Sequence, residues 1–415
     1  MTRKTVFFPA LVADLSSKLA KDTKLPNGIG CRFYNEDEGG FYHPYALFSA
    51  PHHIRHLNLR KTMGIGGDCT VFLDSGGFQL LQNTAPKDYC REQAFKWCSD
   101  TKGIFPILDY PTVNSDIAEC LEFSVQSARY YEENKKMASN SKVLNVLSAR
   151  KQSDINQWHR LNPRTDRPRT TLEEMEYWYK GISKHELDGW AYGGHMRNGK
   201  AIVQAVLFLL NKGELQRKGT TWLHLFGVSK SEVMLYAGVM QQMLNEAQVD
   251  VQLSYDSSSF SHSSKHGQFY AFNSLNGLFA LPLIRERNTN LGQNAFTYDF
   301  LENRLALPQT SPVFEGIDCV KKLLGDQTRY TVLSLHNLYM MLRQKELFDF
   351  IAHCGIPEIL ESLPPQLRSN VQAIQAAFRN PSSGFSILDR AFDTQPKTVK
   401  KRKVPDKSKL LRFAA

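Results

Sequence analysis

The sequence predicts an α/β protein: a (βα)8 TIM barrel with a helical C-terminal segment and a disordered basic tail. Two observations carry this prediction. Six short apolar runs, each followed by a polar or glycine-containing loop, recur at 70–73, 104–108, 143–147, 189–192, 222–226 and 251–255. Patterns typical of amphipathic helices fill the gaps, at 116–133, 172–182, 201–210 and 231–247. Strands that alternate with helices favour a parallel sheet.

Two further segments bring the strand count to eight. The run at 45–49 is a seventh candidate, and we expect the eighth within 269–279, after Asp256. Eight βα units close a barrel. An open doubly wound sheet is the alternative, and it is less favoured because polar residues follow nearly every strand.

The chain divides into three regions. Residues 1–315 form the predicted barrel, with a basic insertion near 150–170. Residues 316–385 are predicted to form a helical closing segment, with helices at 332–343, 345–354 and 367–378. Residues 386–415 form a basic tail with too few apolar residues to fold.

Composition limits the class of protein. The chain has 415 residues, of which 42% are hydrophobic, and no apolar run approaches the about 20 residues of a membrane span. The start, Met1 to Lys4, lacks a signal peptide's apolar region. We therefore expect a cytoplasmic protein with no membrane partner. Its seven cysteines form no CxxC pair and are expected to be reduced thiols.

Much of the formal charge of +10 lies in the tail. Eight Lys or Arg residues and one Asp between Lys397 and Arg412 give this segment a net +7. A polyanion-binding arm is favoured over a merely solubilising end. Within the folded part, a proline-punctuated cluster at 150–169 is predicted to be a loop that touches phosphates, although a plain exposed loop is nearly as well supported. The candidate nucleic-acid contacts are Arg150, Lys151, Arg164, Arg167 and Lys265.

The most informative motif is Asp74-Ser75-Gly76-Gly77-Phe78-Gln79, which directly follows an apolar run. It is typical of a buried strand that ends in a binding loop, because paired glycines allow a positive φ or a close approach of the backbone to a flat ligand. A strand-to-helix turn in which Asp74 caps the helix is the alternative.

Other strand ends supply Asp109, Gly193-Gly194, Gly227 and Asp256, which a barrel would bring to one face. Two carboxylates suit chemistry at an anomeric carbon, where one attacks and the other handles a proton. A third carboxylate can accept two N–H bonds from a purine-like edge. Phe78 can form an apolar wall for a flat ring.

These motifs, together with His224-Leu225-Phe226-Gly227-Val228 and Tyr255-Asp256-Ser257-Ser258-Ser259, resemble those of the tRNA-guanine transglycosylase superfamily over roughly residues 45–345. The family is a (βα)8 barrel that exchanges a guanine in a polynucleotide for a 7-deazaguanine base. The resemblance implies that Asp256 is the nucleophile on C1′ and Asp74 the acid/base. It also implies base-binding roles for Ser75, Phe78, Asp109, Gly193, Gly194 and Gly227.

The chain departs from the tRNA enzymes at two places. Their CxCxxC cluster is missing, so Cys319 and His336 would be remnants of a zinc site, and we expect neither zinc nor any other cofactor. Leu147 stands where those enzymes offer a glutamine to the base. With these losses the chain looks more like the divergent phage and bacterial branch of the family, which installs 7-deazaguanines in DNA and protects phage DNA from restriction. A phage-encoded member would act in the host cytoplasm. The base favoured here is 7-cyano-7-deazaguanine (preQ0).

The expected partners are thus DNA and a free 7-deazaguanine base, with tRNA as the alternative polynucleotide. The sequence leaves the oligomeric state open. A non-catalytic nucleic-acid-binding subunit is a second function class, disfavoured because it requires neither Asp74 nor Asp256. A barrel glycoside hydrolase is a third, but no tryptophan lies beside the motifs.

Overall fold

The computed structural model of the protein describes residues 2–21, 24–25, 28–38, 40–112, 115–163, 166–194, 198–273, 277–282, 311–314, 329–355 and 357–393. Eight parallel strands form a closed barrel in which each strand pairs with the next along the chain and the last pairs with the first. The predicted fold class is confirmed. The barrel strands are β1 Val6–Leu11, β2 Tyr45–Ser49, β3 Thr70–Asp74, β4 Ile104–Pro106, β5 Lys142–Ser148, β6 Gly189–Gly193, β7 Trp222–Leu225 and β8 Gln252–Ser257.

The position of the eighth strand was predicted wrongly. The missing strand is β1, at the start of the chain, where all six residues are buried. The segment at 269–279 instead contributes to an antiparallel hairpin separate from the barrel, formed by β9 Gln268–Asn273 and β10 Gly277–Pro282. Pro9 interrupts the first apolar run, and proline is disfavoured within central strands because it cannot donate to the hydrogen-bond ladder.

Helices connect the strands and cover the barrel. They are α1 Ala13–Lys21, α2 Ala50–His53, α3 Leu59–Met63, α4 Gly77–Leu81, α5 Arg91–Thr101, α6 Ile117–Glu133, α7 Gln152–Leu161, α8 Thr171–Ile182, α9 Gly199–Asn211, α10 Ser231–Glu246, α11 Ser259–Lys265, α12 Arg329–His353, α13 Pro357–Glu361, α14 Pro365–Arg379 and α15 Gly384–Asp393. Short 3-10 turns lie at Glu36–Glu38, Lys135–Ala138, Pro312–Phe314 and Pro381–Ser383.

The basic insertion at 150–169 differs from the predicted loop, because much of it is α7. The following helix, α8, begins with a capping box in which Thr170 and Glu173 exchange side-chain and backbone hydrogen bonds. These bonds satisfy N–H groups that lack partners within the helix. The connection between β5 and β6 therefore contains two helices, α7 and α8.

The helices that follow the barrel strands in the chain pack against helices of the barrel's outer layer. The single helix α12 replaces the two helices predicted at 332–343 and 345–354, and it packs against α10 and α11. Helices α14 and α15 pack against each other and against α10 and α9, respectively.

The predicted tail begins too early, because residues 386–393 belong to α15. Asp389 and Asp393 on this helix both bind Lys200 of α9, at 2.9 and 2.7 Å. Residues 394–415, which hold the basic part of the tail, lie outside the described residues, as does much of the boundary segment near 316. Across the part of the chain that the structure describes, every helix is too short or too polar to cross a bilayer.

Candidate active site

The candidate residues lie at the carboxyl ends of the barrel strands. Asp74 ends β3 and pairs in register with Ser49, which ends β2. Gly193 ends β6 opposite Ser148 of β5, and Asp256 lies one residue before the end of β8. All carboxyl ends of a parallel barrel open at the same face, so the closed barrel brings these distant residues to one site.

The loop after β3 wraps around the Asp74 carboxylate. The backbone N–H of Gly76 donates to Asp74 Oδ1 at 3.0 Å. Gly76 has φ of 89°, a conformation that strongly favours glycine, and it is the residue that precedes α4. The segment is a strand-to-helix turn, as the alternative interpretation proposed, but Asp74 does not cap the helix because Gly76 occupies the N-cap position.

The surroundings of Asp74 favour its protonated form. Burial raises the pKa of the Asp74 carboxyl, and the negative charge of Asp256 raises it further. The hydrogen bond from the Gly76 backbone N–H opposes this shift without cancelling it. A raised pKa makes the carboxyl a better proton donor than an ordinary aspartate, and its ionised form a better proton acceptor, as an acid/base role requires.

Asp109 follows β4 and lies against the same loop. Burial, and then repulsion from Asp74, raises the pKa of Asp109 to about 7. A Cβ at Gly77 would lie 2.5 Å from the Asp109 backbone oxygen and 2.7 Å from its Oδ1. The second glycine of the motif thus permits close contact between the two loops, rather than a positive φ.

Asp256 is nearly buried, with 9% of its surface exposed, and is held through one oxygen. Its Oδ1 accepts the backbone N–H of Gly227 at 2.7 Å and lies 3.2 Å from His224 Nε2. Its Oδ2 accepts no hydrogen bond from the described part of the chain. One oxygen is therefore fixed by the protein while the other is available for chemistry.

His224 of β7 connects the two catalytic candidates. It is fully buried, and its ring stacks on Phe72 of β3 with 3.8 Å between centroids. Phe72 lies two residues before Asp74, so both side chains point to the same side of the strand. Burial lowers the pKa of His224, which favours the neutral ring, although Asp256 and Asp74 oppose that shift.

Comparison with known proteins identifies no relative of this chain. No family model matches it, and a search of curated proteins finds no match. Functional conclusions therefore depend on the site's own geometry and on the motif resemblance.

The predicted base-binding residues differ in what they offer. Phe78, on α4, is 48% exposed and is free to cover a flat ring. Ser75 is buried, and its hydroxyl donates to the Ile107 backbone oxygen, so it shapes the loop. The N–H of Gly227 is occupied by Asp256. These two residues support the site in ways that the sequence did not predict.

The Gly193-Gly194 pair has two distinct roles. A Cβ at Gly193 would meet nothing closer than 3.7 Å, so this position leaves open space beside the site. Gly194 has φ of 137°, and a Cβ there would lie 2.3 Å from the Ala149 backbone oxygen. Gly194 thus allows the loop after β6 to pass close to the end of β5.

Arg150 requires a correction, because it does not face solvent. It is 1% exposed, and its Nε donates to Glu174 Oε1 at 2.8 Å while its backbone N–H donates to Oε2 at 2.7 Å. Its guanidinium also lies 5.0 Å from the Trp158 ring centroid. Arg150 anchors the insertion to the barrel and is withdrawn as a nucleic-acid contact.

The other basic candidates lie nearer the surface. Lys151, Arg167 and Lys265 pair with Asp154, Asp116 and Asp14, respectively, and retain partial exposure. Arg164 lies outside the described residues.

His336 and Cys319 were the two residues interpreted as remnants of a zinc site. His336 is buried in α12 with Nε2 3.0 Å from the Tyr270 backbone oxygen, and burial lowers its pKa to about 4. Cys319 lies outside the described residues. Within the ranges that the structure covers, no group of three His, Cys, Asp or Glu side chains is arranged to hold a metal ion.

Proposed function

We propose that the protein is a glycosyltransferase that exchanges guanine in DNA for a 7-deazaguanine base through a covalent intermediate on Asp256. The observation that carries this proposal is the asymmetric environment of Asp256. Both of its hydrogen bonds fall on Oδ1, which leaves Oδ2 to attack in the same barrel mouth as Asp74. A carboxylate nucleophile beside a second carboxyl with a raised pKa is the arrangement required for double displacement at an anomeric carbon.

In the first half-reaction, Asp256 Oδ2 forms a bond to C1′ of the target deoxyguanosine. The C1′–N9 bond breaks, and its electron pair leaves with guanine. Asp74 in its protonated form can supply the proton that neutralises the departing base. The products are free guanine and a glycosyl ester on Asp256.

The second half-reaction reverses these roles. The Asp74 carboxylate takes the N9 proton from the incoming base, whose N9 attacks C1′ while the Asp256 oxygen leaves. Two successive inversions retain the configuration at C1′. The backbone of the polynucleotide is not cut, and the reaction consumes neither ATP nor a redox cofactor.

Asp109 and Phe78 are the proposed readers of the base. An ionised Asp109 can accept hydrogen bonds from the N1–H and the exocyclic amine that guanine and 7-deazaguanines share. Phe78 supplies the exposed aromatic face on which such a ring can stack. Both groups flank the Asp74 loop, so they would place N9 toward the two catalytic carboxyls.

DNA is favoured as the polynucleotide by the motif departures, which resemble the divergent DNA-modifying branch. A duplex would have to extrude the guanosine to expose C1′, at a cost of about a few kcal/mol. Partially exposed Lys151, Arg167 and Lys265 are candidates to offset that cost through phosphate contacts. A 7-cyano-7-deazaguanine substrate is favoured because residues 195–199, after Gly194, lack the acidic residue expected in family members that accept an aminomethyl-bearing base. Restriction evasion is the proposed biological result.

The test offers labelled guanine or 7-cyano-7-deazaguanine to the purified protein with DNA and with tRNA in parallel. We expect label to enter DNA, and Asp256→Asn to abolish the exchange. Asp100→Asn, which alters an exposed ion pair with Lys96 on α5 to which no role is assigned, is the matched control and should retain activity. Label that enters only tRNA would overturn the choice of DNA. Binding without exchange on either polymer would favour a non-catalytic subunit.

A further inference from the structure

We infer that His224 is a positioning residue that holds Asp256 through a one-directional hydrogen-bond chain from Trp222 through Ser254. This inference rests on the proposed function for its kinetic consequence but not for its geometry. The contacts are Trp222 Nε1 to Ser254 Oγ at 2.7 Å, Ser254 Oγ to His224 Nδ1 at 2.8 Å, and His224 Nε2 to Asp256 Oδ1 at 3.2 Å.

The direction of the chain follows from its first member. An indole N–H can only donate, so the Ser254 oxygen accepts from Trp222. The Ser254 hydroxyl has one proton to give, and His224 Nδ1 is closer than its other neighbour, the Leu223 backbone oxygen at 3.4 Å. Donation from Ser254 to Nδ1 is therefore the shorter of its two options, and it requires a lone pair on Nδ1.

The same assignment is required at the other end. A neutral imidazole carries one N–H, and an ionised Asp256 can only accept. If Nδ1 accepts from Ser254, then Nε2 carries the proton and donates to Asp256. Each donor in the chain thus points toward Asp256, and the structure assigns the Nε2–H tautomer to His224.

Packing makes this assignment rigid. His224 and Ser254 are fully buried, and Phe72 stacks on the imidazole. The ring therefore has little freedom to rotate away from Asp256. Together with the N–H of Gly227, His224 fixes Oδ1 and sets the rotation of the carboxylate, which leaves Oδ2 as the oxygen available to attack C1′.

The first experiment needs no activity. Side-chain ¹⁵N–¹H correlation spectra of histidine-labelled protein at pH 7 report the protonation of each ring nitrogen, and the His224 signals are those that disappear in His224→Gln. We expect a protonated Nε2 and an unprotonated, hydrogen-bonded Nδ1. A protonated Nδ1, in either the other tautomer or the imidazolium, would overturn the inference even if the enzyme exchanges bases.

The second experiment compares variants in the base-exchange assay. His224→Leu removes the donor and should lower kcat about 100-fold, the scale associated with small misplacements of a reacting group, with KM for the base unchanged. His224→Gln keeps an N–H donor and should recover activity to within about 10-fold of wild type. His43→Leu, at a histidine bonded to the Phe7 backbone oxygen at 2.8 Å, is the control and should leave kcat unchanged.

Wild-type kcat in His224→Leu would mean that His224 only fills space. Equal losses in the Leu and Gln variants would mean that an N–H donor at this position does not position Asp256. Either result would reject the positioning role. Wild-type protein that exchanges no base would reject the proposed function instead, and the tautomer measurement alone would then decide the hydrogen-bond chain.

Discussion

Base binding should weaken as the pH falls through about 7, because Asp109 must be ionised to accept two N–H bonds. Burial and the neighbouring Asp74 raise the pKa of Asp109 to about 7. With that pKa, about nine-tenths of the protein has an ionised Asp109 at pH 8 and about one-tenth at pH 6. If only the ionised form binds, the apparent Kd rises about 10-fold between these values, or about 1.4 kcal/mol.

The sign follows from the direction of the shift. Asp109 has a pKa above the usual range of aspartate, so base affinity is nearly complete at about pH 8 and is lost as the pH falls through about 7. An unperturbed aspartate would keep its full affinity down to about pH 5. Asp74→Asn removes a like charge that contributes to the shift, so it should move the midpoint of binding to lower pH.

Equilibrium dialysis of labelled guanine from pH 6 to pH 8 measures this dependence directly. Asp109→Asn is the matched variant, and it should bind weakly with no pH dependence over this interval. A flat Kd for the wild-type protein would refute the proposed role of Asp109. So would an Asp109→Asn variant that keeps the same slope.

Three further predictions concern residues around the site. Gly77→Ala should weaken guanine binding in the same assay, and it should lower the free energy of unfolding in urea by about 1–3 kcal/mol, because its Cβ would overlap Asp109. Unchanged binding would contradict the close contact. Phe78→Ala should raise the Kd for guanine about 10-fold with little change in the urea midpoint, since this ring is half exposed; equal affinity would remove it from the base site. Arg150→Met should lower the free energy of unfolding in urea by about 3–5 kcal/mol, because it leaves the buried Glu174 carboxylate without its partner. Lys151→Met, at an exposed pair, should lower it by less than about 1 kcal/mol. Similar losses in the two variants would contradict the assigned burial.

The barrel was predictable because its signal is repeated along the chain. Apolar runs and amphipathic helices alternate, and this pattern is local enough to read without tertiary information. The exceptions have local causes. Pro9 interrupts the apolar run of β1, so this strand was not predicted. Gln344 is a polar residue in the middle of α12, and the sequence was therefore interpreted as two helices. In the structure Gln344 is buried and bonds to Ser231 of α10. The prolines at 163 and 168 suggested a loop, although α7 ends before either of them.

The site was predictable only in part, because strand ends reveal position but not partners. The placement of Asp74 and Asp256 in one barrel mouth follows from the rule that parallel strands share a carboxyl edge. That Arg150 is neutralised by Glu174 depends on packing between α8 and the end of β5, which basic composition does not show. The alternation of Trp222 and His224 in an otherwise apolar strand was the available signal for the hydrogen-bond chain to Asp256.

The covalent ester on Asp256 is the central claim, and intact-protein mass spectrometry after an acid quench tests it most directly. The protein is incubated with single-stranded DNA, released guanine is removed, and the adduct is digested and mapped. We expect a DNA adduct on the peptide that contains Asp256, none in Asp256→Asn, and loss of the wild-type adduct when 7-cyano-7-deazaguanine is added. An adduct on another residue, or base exchange by Asp256→Asn at the wild-type rate, would contradict the account.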